Sequence, residues 1–212
     1  MFTIKQFTFS PVQENTYILS NEQGECMIID PGCYYPHERK QLKDYIDDNG
    51  FAPKYLLNTH CHLDHIFGNR FIQQTYGLKL HLHPNEQEVL AMGPAYGNSW
   101  GLPFENYDGE LVFLTEKDVI RLGSDELSIL ETPGHSPGSI SFYCKQQQFI
   151  ISGDVLFNGS IGRTDLPGGS FDQLIQSIET KLWPLPAEVK VYSGHGPVTT
   201  IGQEKETNPF LA

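Results

Sequence analysis

Apolar and polar residues alternate from the first position. Residues 1–9 (MFTIKQFTF) carry the period-two pattern of a half-buried strand, and Ser10-Pro11 interrupts it. The apolar runs 16–19 and 26–29 flank Asn21-Glu22-Gln23-Gly24, so the opening third predicts a strand meander that stops at Asp30-Pro31-Gly32. The pattern then turns helical over 37–49, where Leu42, Tyr45 and Ile46 share a face and Asn49-Gly50 ends the run. A buried strand is expected over 55–58, a helix over 68–76 with Phe71, Ile72 and Tyr76 inward, and a strand over 78–82. Residues 85–92 predict a short helix. Residues 93–109, rich in Gly, Pro, Asn and aromatics (Trp100, Phe104, Tyr107), predict a surface loop bordering a pocket.

The second half repeats the strand theme. Strands are expected at 119–122 and 127–130, joined through Gly123-Ser124-Asp125, then a hairpin at 140–143 and 148–151. Residues 170–182 predict a helix with Ser170 and Gln173 as a capping box and Leu174, Ile175, Ile178 and Leu182 as its apolar stripe. A last strand covers 189–192. There is no linker and no shift in composition, so one domain is expected over 1–212. The two strand-rich halves suggest an internal pseudo-duplication without a visible residue repeat.

Composition narrows the function. The chain has 212 residues, 39% of them hydrophobic and 19% charged, which is enough for a sizeable core. Its net charge of −12 repels polyanions and excludes nucleic acid as the expected partner, leaving a small molecule. No apolar run approaches the ~18 residues that cross a bilayer, and the alternating start is unlike a signal peptide. The four cysteines (Cys26, Cys33, Cys61, Cys144) are dispersed without a CxxC pair, which fits reduced thiols and a cytoplasmic location. The oligomeric state is left open.

The chemistry concentrates in Thr59-His60-Cys61-His62-Leu63-Asp64-His65. His60, His62 and His65 with Asp64 place three imidazoles and a carboxylate within six residues, directly after an apolar strand. Cys61 lies between two of these donors in an extended stretch, points the other way, and reads as packing. Three further donors each follow an apolar strand and a glycine: His135, Asp154 and His195. Seven such donors exceed one tetrahedral site and suit two divalent cations sharing a carboxylate. His60, His62 and His135 would serve one ion, Asp64, His65 and His195 the other, and Asp154 would bridge. A water held between them would ionise near neutral pH to the attacking hydroxide, with Asp64 orienting it as the catalytic carboxylate. Zinc comes first, with iron and manganese accepted by the same donors. Asp30, at a strand end before proline, has two readings: a turn-forming residue, or the acceptor for a ligand histidine's second ring nitrogen.

The HxHxDH stretch with the later histidine, aspartate and histidine resembles the metallo-β-lactamase superfamily over nearly the whole chain. That resemblance implies an α+β fold, a four-layer αββα sandwich of two mixed β-sheets flanked by helices, with metals at one edge. True β-lactamases usually carry cysteine or serine where Asp154 stands, and flavodiiron proteins carry glutamate in place of His62. The pattern is therefore similar to the glyoxalase-II-like branch, the hydroxyacylglutathione hydrolases. Gly159-Ser160-Ile161-Gly162-Arg163-Thr164-Asp165 resembles the Gly-Arg segment of glyoxalase II and persulfide dioxygenases, which implies that Arg163 holds a carboxylate of the substrate's thiol portion. Full-length glyoxalase II carries a further C-terminal helical domain that helps bind glutathione. This chain stops soon after His195, which leaves room for another thiol carrier. The implied activity is hydrolysis of S-D-lactoylglutathione or a related acyl-thiol. The rivals are an iron-dependent persulfide dioxygenase using His60, His135 and Asp154, and a catalytically silent metal-binding protein.

Overall fold

The expected meander is present. In the computed structural model, which describes residues 1–211, β1 (Thr3–Phe9) pairs antiparallel with β2 (Glu14–Ser20), placing Phe9 opposite Glu14. β2 pairs antiparallel with β3 (Glu25–Ile29). β1 alternates between exposed and covered positions towards its start, as an outer strand does, whereas every residue of β2 is buried. A crossover through α1 (Pro36–Asp48) leads to β4 (Ala52–Leu57), parallel to β3. β5 (Leu80–Leu82) and β6 (Leu111–Phe113) extend the sheet in parallel, giving the order β1-β2-β3-β4-β5-β6. Leu42 and Ile46 of α1 enter the core with Ile18, Ile28 and Leu56. The first turn of α1 is held by Glu38, whose buried carboxylate accepts from the backbone N–H groups of Ser10, Tyr34 and Tyr35 at 2.8, 2.8 and 2.9 Å.

One expectation is corrected between residues 87 and 99. After the one-turn α2 (Leu63–Ile66) and α3 (Asn69–Tyr76), α4 runs from Gln87 to Ser99, so the predicted loop at 93–109 begins as helix. Pro94 lies inside it, and a proline there frees the carbonyl of residue 90. The side chain of Asn106 donates to that carbonyl, Leu90 O, at 2.6 Å, satisfying the acceptor that Pro94 leaves. Gly93 and Gly97 give Phe104 room against the helix, and Tyr107 is buried rather than a surface residue.

The second sheet contains β7 (Val119–Leu122), β8 (Asp125–Glu131), β9 (Ile140–Cys144), β10 (Phe149–Gly153), β13 (Lys190–Ser193) and β14 (Thr199–Thr200), in the order β14-β13-β10-β9-β8-β7. β10 and β13 are its parallel pair. A small hairpin, β11 (Leu156–Phe157) with β12 (Ser160–Ile161), follows β10. The helix expected over 170–182 divides: α5 (Phe171–Ser177) continues as a π turn, Ile178–Leu182. Ser170 caps it by accepting from Gln173 N at 3.4 Å. Leu174, Ile178 and Leu182 enter a core with Ile150, Val189 and Val191. α6 (Ile201–Thr207) follows β14.

The chain clusters into two compact units, residues 1–113 with 121–125, and residues 114–120 with 126–212. The architecture is α+β, with two large mixed sheets and helices. Among the described residues no helix is long and apolar enough to cross a membrane.

Candidate functional site

In the first unit the predicted donors gather where β4 ends. His60 follows the strand, His62 caps α2, and the single turn of α2 supplies the bend that lets Asp64 and His65 face back. The rings of His60 and His65 lie 4.1 Å apart and those of His60 and His62 4.8 Å apart, measured between centroids. His65 Nε2 lies 3.8 Å from Asp64 Oδ2. His60 and His65 are wholly buried, while His62 and Asp64 are partly exposed. Cys61 is buried in the apolar core, as expected of a packing residue.

Asp30 is a hydrogen-bond hub beside the cluster. It accepts from Thr59 N at 2.7 Å, Thr59 Oγ1 at 2.5 Å, Asn58 Nδ2 at 3.1 Å and His65 Nδ1 at 3.1 Å. Thr59 Oγ1 also sits 3.1 Å from His60 Nδ1. Asp30, His60 and His65 are close enough to be a metal-ligating trio themselves. Four donors already occupy the two oxygens of Asp30, however, so its carboxylate is better suited to orienting the imidazoles than to ligation.

Three residues around the cluster escaped the sequence reading. Glu14 is wholly buried, accepts from Thr16 Oγ1 at 2.8 Å and places Oε1 3.9 Å from His65 Nδ1. Burial pushes its carboxyl well above the usual range, against the opposing pull of His65. Its fully buried strand also carries Asn15, Thr16 and Ser20, so a single charged residue there is only a weak signal. Glu86, also buried, accepts from Cys61 N at 2.7 Å and so holds the backbone between His60 and His62. Asn58 donates to His65 O at 2.9 Å. These partners lie far along the chain from the residues they hold, or reach them through backbone atoms, and no local spacing encodes them.

The second unit assembles its donors from strand ends. β10 and β13 are adjacent and parallel, with Gly153 paired to Ser193, so Asp154 and His195 leave the sheet at the same end. Gly194 N donates to Gly153 O at 2.9 Å and continues that register. Gly153 has φ +54°, the left-handed bend that turns Asp154 off the strand. At His195 the left-handed residue is Gly196 (φ +75°), not the preceding Gly194 on which the sequence reading relied. Asp154 Oδ2 lies 3.4 Å from His135 Nε2 and 3.6 Å from His195 Nε2.

His135 is oriented by the backbone of the Gly-Arg segment: its Nδ1 donates to Arg163 O at 2.7 Å. Gly162 is packed so tightly that a Cβ there would overlap the Asp154 carbonyl oxygen and come within 3.2 Å of His135 Cβ. Buried Glu204 anchors the hairpin leading to this segment. It accepts from Gly159 N at 2.9 Å and Asn208 Nδ2 at 2.8 Å, and also from Thr199 Oγ1. The Arg163 side chain is exposed and forms a two-point pair with Asp165.

The donor chemistry fits divalent cations. Each unit offers imidazole nitrogens beside a carboxylate, and His60, His65 and His135 each turn Nδ1 to an oxygen of the protein, the arrangement that fixes a histidine tautomer for ligation through Nε2.

Known proteins agree with that chemistry. The metallo-beta-lactamase superfamily matches residues 9–195. The chain is 39% identical to "Probable metallo-hydrolase YqgX" of Bacillus subtilis, covering 98% of this chain and 96% of that protein. It is 38% identical to "Hydroxyacylglutathione hydrolase GloC" of Haemophilus influenzae, covering 94% and 93%. The crystal structure of BLEG-1 B3 metallo-beta-lactamase superposes with a TM-score of 0.91 at 38% identity, covering 99% of this chain and 100% of that one. The superfamily typically binds two metal ions and works as metal-dependent hydrolases. Fold, donor set and sequence together establish that this chain belongs to the metallo-β-lactamase superfamily.

Proposed function

We propose that the chain is a thioesterase of the glyoxalase-II-like branch, acting on S-D-lactoylglutathione or a related small acyl-thiol, in the cytoplasm and as one domain over 1–212. His60, His62, Asp64 and His65 of the first unit and His135, Asp154 and His195 of the second would hold divalent cations, zinc first. When bound, such cations supply a water ionised near neutral pH and a positive field for the developing oxyanion. The residues of the chain do the rest. Asp30 and Thr59 hold His65 and His60 in their tautomers, Arg163 O does the same for His135, and Asp64 takes up the position of an orienting carboxylate. A thiolate leaves without a proton, so the reaction needs no further acid.

The observation that carries the reading is the placement of Arg163. Its carbonyl holds a donor histidine while its guanidinium stands exposed, so a carboxylate on the thiol portion of a substrate would be bound by the residue that helps orient His135. The likeness to the hydroxyacylglutathione hydrolase of Haemophilus influenzae supports the same substrate class. The likeness to BLEG-1 supports a second reading, hydrolysis of a β-lactam amide. The test is turnover of metal-loaded protein on a panel of acyl-thiols and β-lactams, with metal content measured alongside. The proposal expects thioester cleavage with two metals per chain and its loss in Asp154→Ala. β-Lactam turnover without thioester turnover would select the second reading.

A further inference from the structure

We infer that Asp165 is a specificity-determining positioning residue, holding the Arg163 guanidinium ready for a carboxylate of the thiol portion; this rests on the substrate class proposed above. Asp165 Oδ1 accepts from Arg163 Nε at 2.7 Å and Oδ2 from Nη2 at 2.7 Å. Both carboxylate oxygens therefore engage the side edge of the guanidinium. A guanidinium has five N–H donors in one plane, so its end edge, formed by Nη1 and the second Nη2 proton, keeps the fork geometry that matches another carboxylate.

The rest of the residue is anchored as well. Arg163 O accepts from His135 Nδ1 at 2.7 Å, and Gly162 N donates to Val155 O at 3.2 Å. The main chain is thus tied to a donor histidine and the far end of the side chain to Asp165. An exposed ion pair contributes little to folding stability, and both partners here are open to solvent, 52% and 68% exposed. What the pair supplies is order. Arginine has a large rotamer entropy to lose when it grips a ligand, and one already held in place loses less on binding. Asp165 remains charged throughout the neutral range, since the hydrogen bonds from Arg163 hold its carboxyl down at about 2. Its charge also repels an incoming carboxylate. Ordering of the guanidinium is expected to outweigh that repulsion, a balance that the acid affinity of Asp165→Asn reads directly.

The experiment is calorimetric binding of S-hexylglutathione, and of its carboxyl-esterified form, to metal-loaded wild type, Asp165→Asn, Asp165→Glu and Arg163→Ala. Asp165→Asn is expected to weaken the free acid about three- to tenfold without a matching change for the ester. Asp165→Glu should recover part of the loss, and Arg163→Ala should remove the preference for the acid. With a carboxylate-bearing thioester, the Asp165→Asn effect should fall on KM rather than kcat. Equal or tighter binding of the acid by Asp165→Asn would overturn the inference, as would a wild type that does not distinguish acid from ester. Acid-selective binding that depends on Asp165, in a protein that cleaves no thioester, would refute the thioesterase reading and leave the role of Asp165 standing. Thioester turnover with Asp165→Asn unaffected would do the reverse.

Discussion

His65 donates from Nδ1 to Asp30 Oδ2 at 3.1 Å, and Asp30 reaches that position with its own backbone at φ +49°. A non-glycine residue in the left-handed region is uncommon, though aspartate tolerates it better than most. The strain is maintained by four donors converging on one carboxylate, two of them from Thr59. The strand order explains the meeting. Asp30 follows β3, Thr59 follows β4, and the two strands are parallel neighbours, so residues 29 apart in sequence come together at one sheet end.

Asp30→Asn should keep the fold and weaken metal binding. Asparagine also tolerates φ +49°, but its amide presents one acceptor oxygen where the carboxylate presents two. Losses of about 10–100-fold in metal affinity are typical when the partner of a ligand histidine is removed. Competition with a chromophoric chelator measures this, while circular dichroism checks the fold. Unchanged affinity would show that Asp30 serves the turn and not His65.

Gly162→Ala tests how closely the Gly-Arg segment is fitted to the donors. The added methyl overlaps the backbone oxygen of Asp154, which cannot yield as a flexible side chain could. Forced shifts of this kind cost about 1–3 kcal/mol, and a misplacement of about 1 Å can cost 10²-fold in rate. We expect a lower Tm together with a loss of activity far larger than the fall in folded fraction. A variant with lower Tm but full activity per folded molecule would mean that Asp154 tolerates the shift.

The four thiols should be silent in the native protein. Cys26, Cys33, Cys61 and Cys144 are in no disulfide and are all buried. Burial pushes the Cys26 thiol up to about 12 and those of Cys33 and Cys61 above their usual range, so little thiolate is available. Titration with a chromogenic disulfide reagent should find no fast-reacting thiol in buffer and four in denaturant. A fast-reacting native thiol would contradict the burial of these cysteines.

His81 should make stability fall on the acid side. Burial lowers its pKa below the usual value of about 6.5, and its Nδ1 lies 3.1 Å from both Leu56 O and Lys79 O. Above that value the ring is neutral folded or unfolded and contributes nothing. As pH drops through it, the unfolded chain takes up the proton first and native stability is lost, until native His81 protonates too. Urea unfolding of wild type and His81→Gln between about pH 5 and 7 isolates this contribution, because the other histidines are common to both proteins. The variant should show the shallower loss; parallel curves would assign the acid sensitivity elsewhere.

Much of the fold was legible because its signals are local. The alternation in residues 1–9, the apolar runs of β3, β4 and β10, and the stripe of α5 each lie within a few consecutive residues. The extension of α4 past Pro94 was not. A proline reads as a stop unless something distant takes the carbonyl it frees, and that partner is Asn106, 16 residues from Leu90.

The same division runs through the candidate site. The sequence alone determined the donor types and their position at strand ends, since imidazole and carboxylate chemistry and the apolar run before each donor are written in neighbouring residues. Only the tertiary structure decided what holds those donors. Strand pairing brought Asp30 to His65 and Asp154 to His195, and packing placed Glu14 beside His65, Glu86 under Cys61, and Arg163 O against His135. Such partners are separated by tens of residues and chosen by register and close packing, which periodicity along a single chain cannot express.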